Sequence, residues 1–215
     1  YVSFSCLALR DLQVHLDPVV DALESGDLEG ARICVSKVVG RDVTVLDEKG
    51  VCRAAVETLA ENFVDGFVSP LLWYLAGGLL GWLLCADPVL FALGAMLVFK
   101  VVSTMDSMVG YKNEKYKALG WAGAKLDDVM NFVPARLSFL FLFPGAMLTG
   151  RDGFQGMKIG FRDRLKHDSP NSAHGESFMA GALGIRLAGL TIYGDVRKEK
   201  PWLGEGFGDA TPADI

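Results

Sequence analysis

The chain has 215 residues, with 26 acidic against 21 basic side chains and a net charge of −5. That balance excludes nucleic acid as a partner, because binding phosphate backbones takes a basic surface, and no basic stripe with interleaved aromatics occurs. Hydrophobic residues make up 51% and mean hydropathy is +0.29, high for a soluble globule, yet the 22% of charged residues excludes a bundle buried wholly in lipid.

Residues 5–25 and 28–39 carry helical periodicity, and Ser25-Gly26-Asp27 separates them, with Asp27 placed to cap the second helix. A polar connector, "GRDVTVLDEKG" (40–50), leads into a third helix over about 51–66. Residues 67–86 then hold no charge for 20 positions, the length that crosses a hydrocarbon core. Asp87-Pro88 breaks that run, and residues 89–102 are apolar again apart from Lys100, which must snorkel. Segment 67–102 therefore reads as a transmembrane hairpin. A polar segment follows over 103–136. The 13 apolar residues of 137–149 are short for a span and suit a re-entrant or interfacial element. Residues 150–215 are mostly polar, with one glycine-rich apolar helix expected at 178–190.

The basic residues give the topology. Six Lys/Arg precede Phe67, none sits at the hairpin tip, and five lie between Val101 and Arg136, so both flanks are expected in the cytoplasm. Nine more lie in 150–200, which argues that 137–149 dips in and returns. No period-two strand pattern is convincing. The expected class is all-α: a polytopic helical protein of the cell membrane, with 1–66, 103–136 and 150–215 forming cytoplasmic helical segments and loops. Cys6, Cys34, Cys52 and Cys85 form no CxxC motif and read as reduced structural thiols. The chain begins at Tyr1, has no signal-peptide pattern and ends in "GEGFGDATPADI"; it reads as a piece of a longer protein.

Four constellations can carry chemistry. In "ENFVDG" and the turn before it, Glu57, Glu61 and Asp65 fall at i, i+4 and i+8, which stacks three carboxylates along one helix face. Like charges at that spacing repel, and Arg53 offsets one end only; a cation such as Mg²⁺ or a basic substrate would offset the rest. In "KLDDVMNFVPAR", Asp127 and Asp128 lie one turn before Asn131 and offer hard oxygen ligands. In "STMDSMVGYKNEKY", Asp106 lies at the end of the second span, where an acid is expensive unless partnered, and Lys112 and Lys115 follow. In "HDSPNSAHGES", Ser169-Pro170-Asn171 forms a turn before a small-residue helix that starts near His174 and Glu176. The three histidines lack zinc-ligand spacing, and no GxxxxGK[ST], GxSxG or catalytic Cys/His pattern is present. "GALGIRLAG" has the flavour of a phosphate loop but follows no expected strand.

Taken together and in order, "VGRD" (39–42), "ENFVDGFVSPLLW" (61–73), "TMDSMVGYKNEKY" (104–116), "LDDVMNFVPARL" (126–137) and "SPNSAHGESFMAGALG" (169–184) resemble the CobD/CbiB family of adenosylcobinamide-phosphate synthases, integral membrane proteins of cobalamin biosynthesis. The likeness runs over about 31–206, with Ser172, His174 and Ser177 departing from the family's usual pattern. The resemblance implies a carbon–nitrogen ligase. Adenosylcobyric acid, a corrinoid, is joined to aminopropanol or its phosphate, with ATP and Mg²⁺ as cofactors and an acyl phosphate as intermediate. On that reading Asp106, Asp128, Glu61 and Asp65 are catalytic candidates. Glu57, Glu61, Asp106, Asp127 and Asp128 are candidates for metal. Arg41, Asn62, Lys112, Lys125, Asn131, Arg136, Ser169 and Asn171 are candidates for substrate. Membrane lipid and other membrane-associated corrinoid-assembly enzymes are the expected partners. An AmpE-like sensor without catalysis and a divalent-cation transporter are the rival readings; a transporter would want acids in mid-span, where 67–86 has none.

Overall fold

The computed structural model describes residues 1–109, 117–193, 196–205 and 208–215. In chain order the helices are α1 (Val2–Ser5), α2 (Leu9–Glu24), α3 (Leu28–Val35) and α4 (Glu48–Phe63), followed without a break by a π-helical turn (Val64–Val68) and α5 (Ser69–Leu83). Then come α6 (Pro88–Val109), α7 (Lys117–Met130), α8 (Phe132–Leu137), α9 (Phe139–Leu148), α10 (Gly153–Asp163) and α11 (Ala173–Leu183). A two-stranded antiparallel hairpin, β1 (Leu190–Tyr193) and β2 (Val196–Glu199), and a 3-10 turn (Pro212–Asp214) close the chain. The chain divides into two compact units: Tyr1–Leu9 with Phe63–Arg136, and Arg10–Asn62 with Leu137–Ile215.

The first unit is built on the α5–α6 hairpin. Its tip is set by Asp87, whose carboxylate accepts the backbone N–H groups of Val89 (2.8 Å) and Leu90 (3.2 Å), and by Pro88 at the first helical position of α6. The seam between the helices is a G-x-x-x-G pair. A Cβ on Gly77 would meet the Phe91 carbonyl oxygen at 2.5 Å, and one on Gly81 would meet Pro88 Cα at 2.8 Å. Backbones this close gain packing that bulkier residues would forbid. The large apolar side chains point the other way: Leu75, Leu79, Trp82, Leu83, Leu90, Val98 and Val101 are exposed. A polar tie joins α5 to α7, since Ser69 Oγ donates to Asn131 Oδ1, Asn131 Nδ2 donates to Asp127 at 2.9 Å, and Trp73 Nε1 donates to the Met130 carbonyl at 3.1 Å.

The second unit buries a core from α2, α3, α4 and α11 together with Ile185, Leu187 and Leu203. Beside it Phe139 of α9 meets Phe178 of α11 (ring centroids 5.5 Å apart) and Phe161 of α10 (5.3 Å, edge-on). Asp27 caps α3 through Gly30 N–H (2.9 Å) as the sequence predicts, and Asp152 caps α10 through Gln155 N–H (2.9 Å) in the same way.

Several expectations shift. The glycine-rich helix is α11, at 173–183 rather than 178–190, because Gly184 takes φ +70° and ends it as a left-handed cap. Residues 190–193 and 196–199 pair as antiparallel strands where the sequence shows no strand pattern; two four-residue strands are too short for alternation to register. α10 forms in a stretch that the sequence marks only as mostly polar. The expected 1–66 segment splits, since residues 1–9 group with the hairpin and 10–62 with the C-terminal region.

Candidate functional site

The four motif segments supply two charged clusters, one in each unit. In the second unit, α4 brings Glu57 into the core with 4% of its surface exposed. Its Oε2 pairs with Arg41 from the "VGRD" connector, and its Oε1 accepts the Ala188 N–H at 2.6 Å. This corrects the pairing expected from spacing: Arg53 does not neutralise Glu57 but lies over the Trp202 ring, 5.1 Å from its centroid. A buried carboxylate needs a fixed partner, and the connector supplies a better placed one than the helix does.

Glu176, on the first turn of α11, is as buried as Glu57. Burial, then repulsion from Glu57 and Glu61, pushes its pKa well above the usual carboxylate range. His167 Nδ1 stands 3.8 Å from Glu176 Oε1 and 3.3 Å from Ser172 Oγ. Burial, reinforced by the charge of Lys200, lowers the His167 pKa to about 4, so the ring is neutral at physiological pH. Its Nε2 is buried and meets no hydrogen-bond partner among the described residues. The Ser169–Asn171 turn closes the cluster: Asn171 N–H donates to Ser169 Oγ (3.3 Å), and the Asn171 carbonyl receives His174 N–H (3.1 Å). Next to it, a cleft of about 320 Å³ opens between the connector, α4 and β1, with Arg41 and Arg53 in its wall. Asn62 Nδ2 donates to the Thr58 carbonyl (2.9 Å) and faces a separate cleft of about 220 Å³ with His15 and Lys37. Glu61 is exposed.

In the first unit, α7 lies on α6 at Gly123, where an added Cβ would come 3.7 Å from the Asp106 backbone nitrogen. This brings Asp106 and Asp128 near enough for their charges to interact. Lys125 pairs with Asp128 at 3.3 Å. Asp127 and Asn131 are tied to each other and to α5, so Asn131, 1% exposed, serves as a structural tie. Arg136 lies over the Phe132 ring, 3.4 Å from its centroid. Asp65 sits in the π turn, half-buried; the extra residue in that turn breaks the 3.6-residue spacing on which a single acidic stripe depends. Lys112 and Lys115 lie outside the described residues.

The predicted metal set is thus divided: Glu57 and Glu61 belong to one unit, Asp106, Asp127 and Asp128 to the other. Among the described residues no group of three or more His, Cys, Asp or Glu side chains is placed to hold a metal ion. The Asp106–Asp128 pair, whose charges interact, is a carboxylate pair of the kind that could offer ligands to a divalent ion. His167, Glu176 and Arg186 were not singled out as site residues from sequence. The signal for the first two was the "HDSPNSAHGES" run itself, which mixes titratable groups into a small-residue helix start.

The helical runs Glu48–Leu83 and Pro88–Met108 are long and apolar enough to cross a membrane, with a third crossing where the bent pair Gly120–Met130 and Phe132–Leu148 acts as one. Hairpin, glycine seam and apolar exterior define an all-α polytopic membrane protein that carries buried ionisable clusters. The family profile described as CobD/Cbib protein matches residues 1–215, and the chain belongs to that family. It is 48% identical over 204 residues to the cobalamin biosynthesis protein CobD of Pelobacter propionicus, covering 95% of this chain and 59% of the relative. It is 45% identical to CobD of Klebsiella pneumoniae and 43% identical to CbiB of Salmonella typhimurium, in each case over 100% of this chain and 63% of the relative. The chain therefore spans about three-fifths of the length of these relatives. No solved structure matches it.

Proposed function

We propose that the parent protein is a carbon–nitrogen ligase of cobalamin biosynthesis that joins adenosylcobyric acid to aminopropanol or its phosphate, driven by ATP. The observation that carries this reading is the buried cluster of Arg41, Glu57, His167 and Glu176, drawn from three of the motif segments. Burying that many ionisable groups costs stability, and such clusters are a mark of working sites. The family membership supplies the pathway.

The reaction needs an activated carboxylate and an uncharged amine. ATP would phosphorylate one propionate of the corrinoid, and amine attack on the acyl phosphate would then expel phosphate and leave the amide. Mg²⁺, when bound, neutralises charge on the phosphoryl groups. Asp106 and Asp128 would hold it, and Asp127 would keep α7 in register with them. The proton that the amine sheds on attack would leave with the departing phosphate, and Glu61 or Asp65 would attract the cationic amine beforehand. Lys112, Lys125 and Arg136 would meet phosphate or propionate, Arg41 would hold Glu57 in place, and Asn62, Ser169 and Asn171 would orient the substrate. The positive-inside count favours a cytoplasmic face of the cell membrane for these motifs, where an amphipathic corrinoid would arrive.

The test is amide formation by the purified full-length parent in detergent, followed as corrinoid product with ATP, Mg²⁺ and each amine. Asp106→Asn and Asp128→Asn are expected to lose at least about a hundredfold in turnover while still inserting. Wild-type protein that makes no amide with either amine, or variants with near-normal turnover, would remove the proposal or these two residues from it.

A further inference from the structure

We infer that Arg53 and Arg186 form a subsite for a phosphoryl group beside Trp202; this rests on the ligase reading for its choice of substrates. Both guanidiniums stack on the same indole, each Cζ 5.1 Å from the ring centroid, so they lie no more than about 10 Å apart. Arg53 also forms part of the wall of the 320 Å³ cleft, next to Arg41.

The three side chains are held in place by backbone rather than by chance. Leu187 and Leu203 exchange two backbone hydrogen bonds of 3.0 Å in an antiparallel bridge, which puts Arg186 and Trp202 diagonally across it on one face. The next residue, Ala188, takes φ +68°, a left-handed conformation that is strained for a side chain with a Cβ, and its N–H is anchored on buried Glu57. Gly189 follows at φ +79°, where a Cβ would enter the Trp202 ring at 2.4 Å. The segment "GIRLAG" is therefore a rigid presenting loop, although no strand precedes it.

Charge accounting points to an anion. Arg41 is committed to Glu57, and Lys49 to Asp209 at 2.8 Å. Asp47, the acid in the cleft wall, spends an oxygen capping α4 through Gly50 N–H at 2.8 Å. Among the described residues neither Arg53 nor Arg186 forms an ion pair or a hydrogen bond, and Asp209 only feels their charge from a distance. Two guanidiniums already packed beside one indole have given up part of their freedom before binding, and their N–H edges match the tetrahedral oxygens of a phosphoryl group. Two substrates of the proposed reaction bring such a group: the nucleotide and the phosphorylated amine.

The experiment titrates the full-length parent with inorganic triphosphate, aminopropanol phosphate and free aminopropanol, reading tryptophan fluorescence, with Trp202→Phe to assign the signal. Arg53→Gln and Arg186→Gln should each weaken binding of a phosphoryl compound at least tenfold. Arg53→Lys, which keeps the charge but not the fork, should weaken it less and confirms that the fold survives. Loss confined to triphosphate assigns the subsite to the nucleotide; loss confined to aminopropanol phosphate assigns it to the amine. Unchanged affinity for both in all three variants, or no binding by wild type, overturns the subsite. Amide formation is measured in parallel: normal synthesis with unchanged affinity retires the subsite alone, whereas arginine-dependent phosphoryl binding without synthesis retires the ligase reading alone.

Discussion

The two units solve opposite problems. In the hairpin unit the large apolar side chains face outward and the smallest residues, Gly77 and Gly81, face the partner helix. In the other unit the core is apolar but is pierced by Glu57, His174 and Glu176. Lipid gives helices no hydrophobic reason to associate, so the hairpin is held by close backbone packing. The second unit has an apolar core to spare and uses part of that stability to keep charged groups dry. Stability in the first therefore depends on shape, and in the second on electrostatics.

That contrast is most sharply tested at Glu57. Glu57→Ala leaves Arg41 and the Ala188 N–H buried without their acceptor and is expected to cost about 3–5 kcal/mol. Glu57→Gln, which keeps one acceptor, should cost less. Denaturation of the full-length protein in detergent measures both, and near-zero cost for the alanine variant would break the electrostatic half of the comparison. Gly77→Val tests the other half. Its Cβ meets a backbone carbonyl that cannot rotate away, so a cost of about 1–3 kcal/mol is expected with no change in the titration of the second unit. An unperturbed hairpin would mean that the seam is looser than the contact distances imply.

Legibility in sequence followed the same division. Hydropathy located the hairpin and its Asp87-Pro88 tip, because a lipid-facing surface is uniform and a 20-residue run leaves no ambiguity. The Asp27 cap was legible because capping is local. Arg41–Glu57, 16 residues apart, was not; nor was the exchange of Arg53 to Trp202, since which cation reaches a buried acid is decided by tertiary packing. The π turn hid the fate of Asp65, for spacing arguments assume 3.6 residues per turn. The β1–β2 hairpin and the loop carrying Arg186 were missed because both depend on pairing with residues around 199–203 rather than on their own pattern.

Asp163 gives a smaller effect with a definite sign. Burial alone would raise its pKa, but Arg162, Lys166 (2.8 Å) and the Gly204 N–H (3.0 Å) outweigh it and hold the carboxyl at about 2, below the ordinary 3.8. A depressed carboxyl adds stability that is present above its unfolded value and lost as pH falls through the folded one. The second unit should therefore lose about 2 kcal/mol between pH 4 and 2, and Asp163→Asn should lack that transition. The hairpin unit, whose seam carries no such group, should be indifferent over the same window.

The smallest expected effect, a change of slope, sets two neighbours against each other. His167, lowered to about 4 by burial and Lys200, is neutral in the folded state while the unfolded chain binds a proton below 6.5. Its contribution makes stability rise as pH climbs from 4 to 6.5. Glu176 is raised by burial and by Glu57 and Glu61, so the folded state keeps a proton that the unfolded chain releases above 4.5. Its contribution makes stability fall as pH climbs past that value. In the window from 4.5 to 6.5 the two slopes oppose, and wild type should be nearly flat. Glu176→Gln removes the falling term and should unmask a rise with pH; His167→Gln removes the rising term and should unmask a fall. Unfolding measured across pH 4.5–6.5 reads both signs, and two variants that share the wild-type slope would show that the pair at 3.8 Å does not hold the protonation states argued for it.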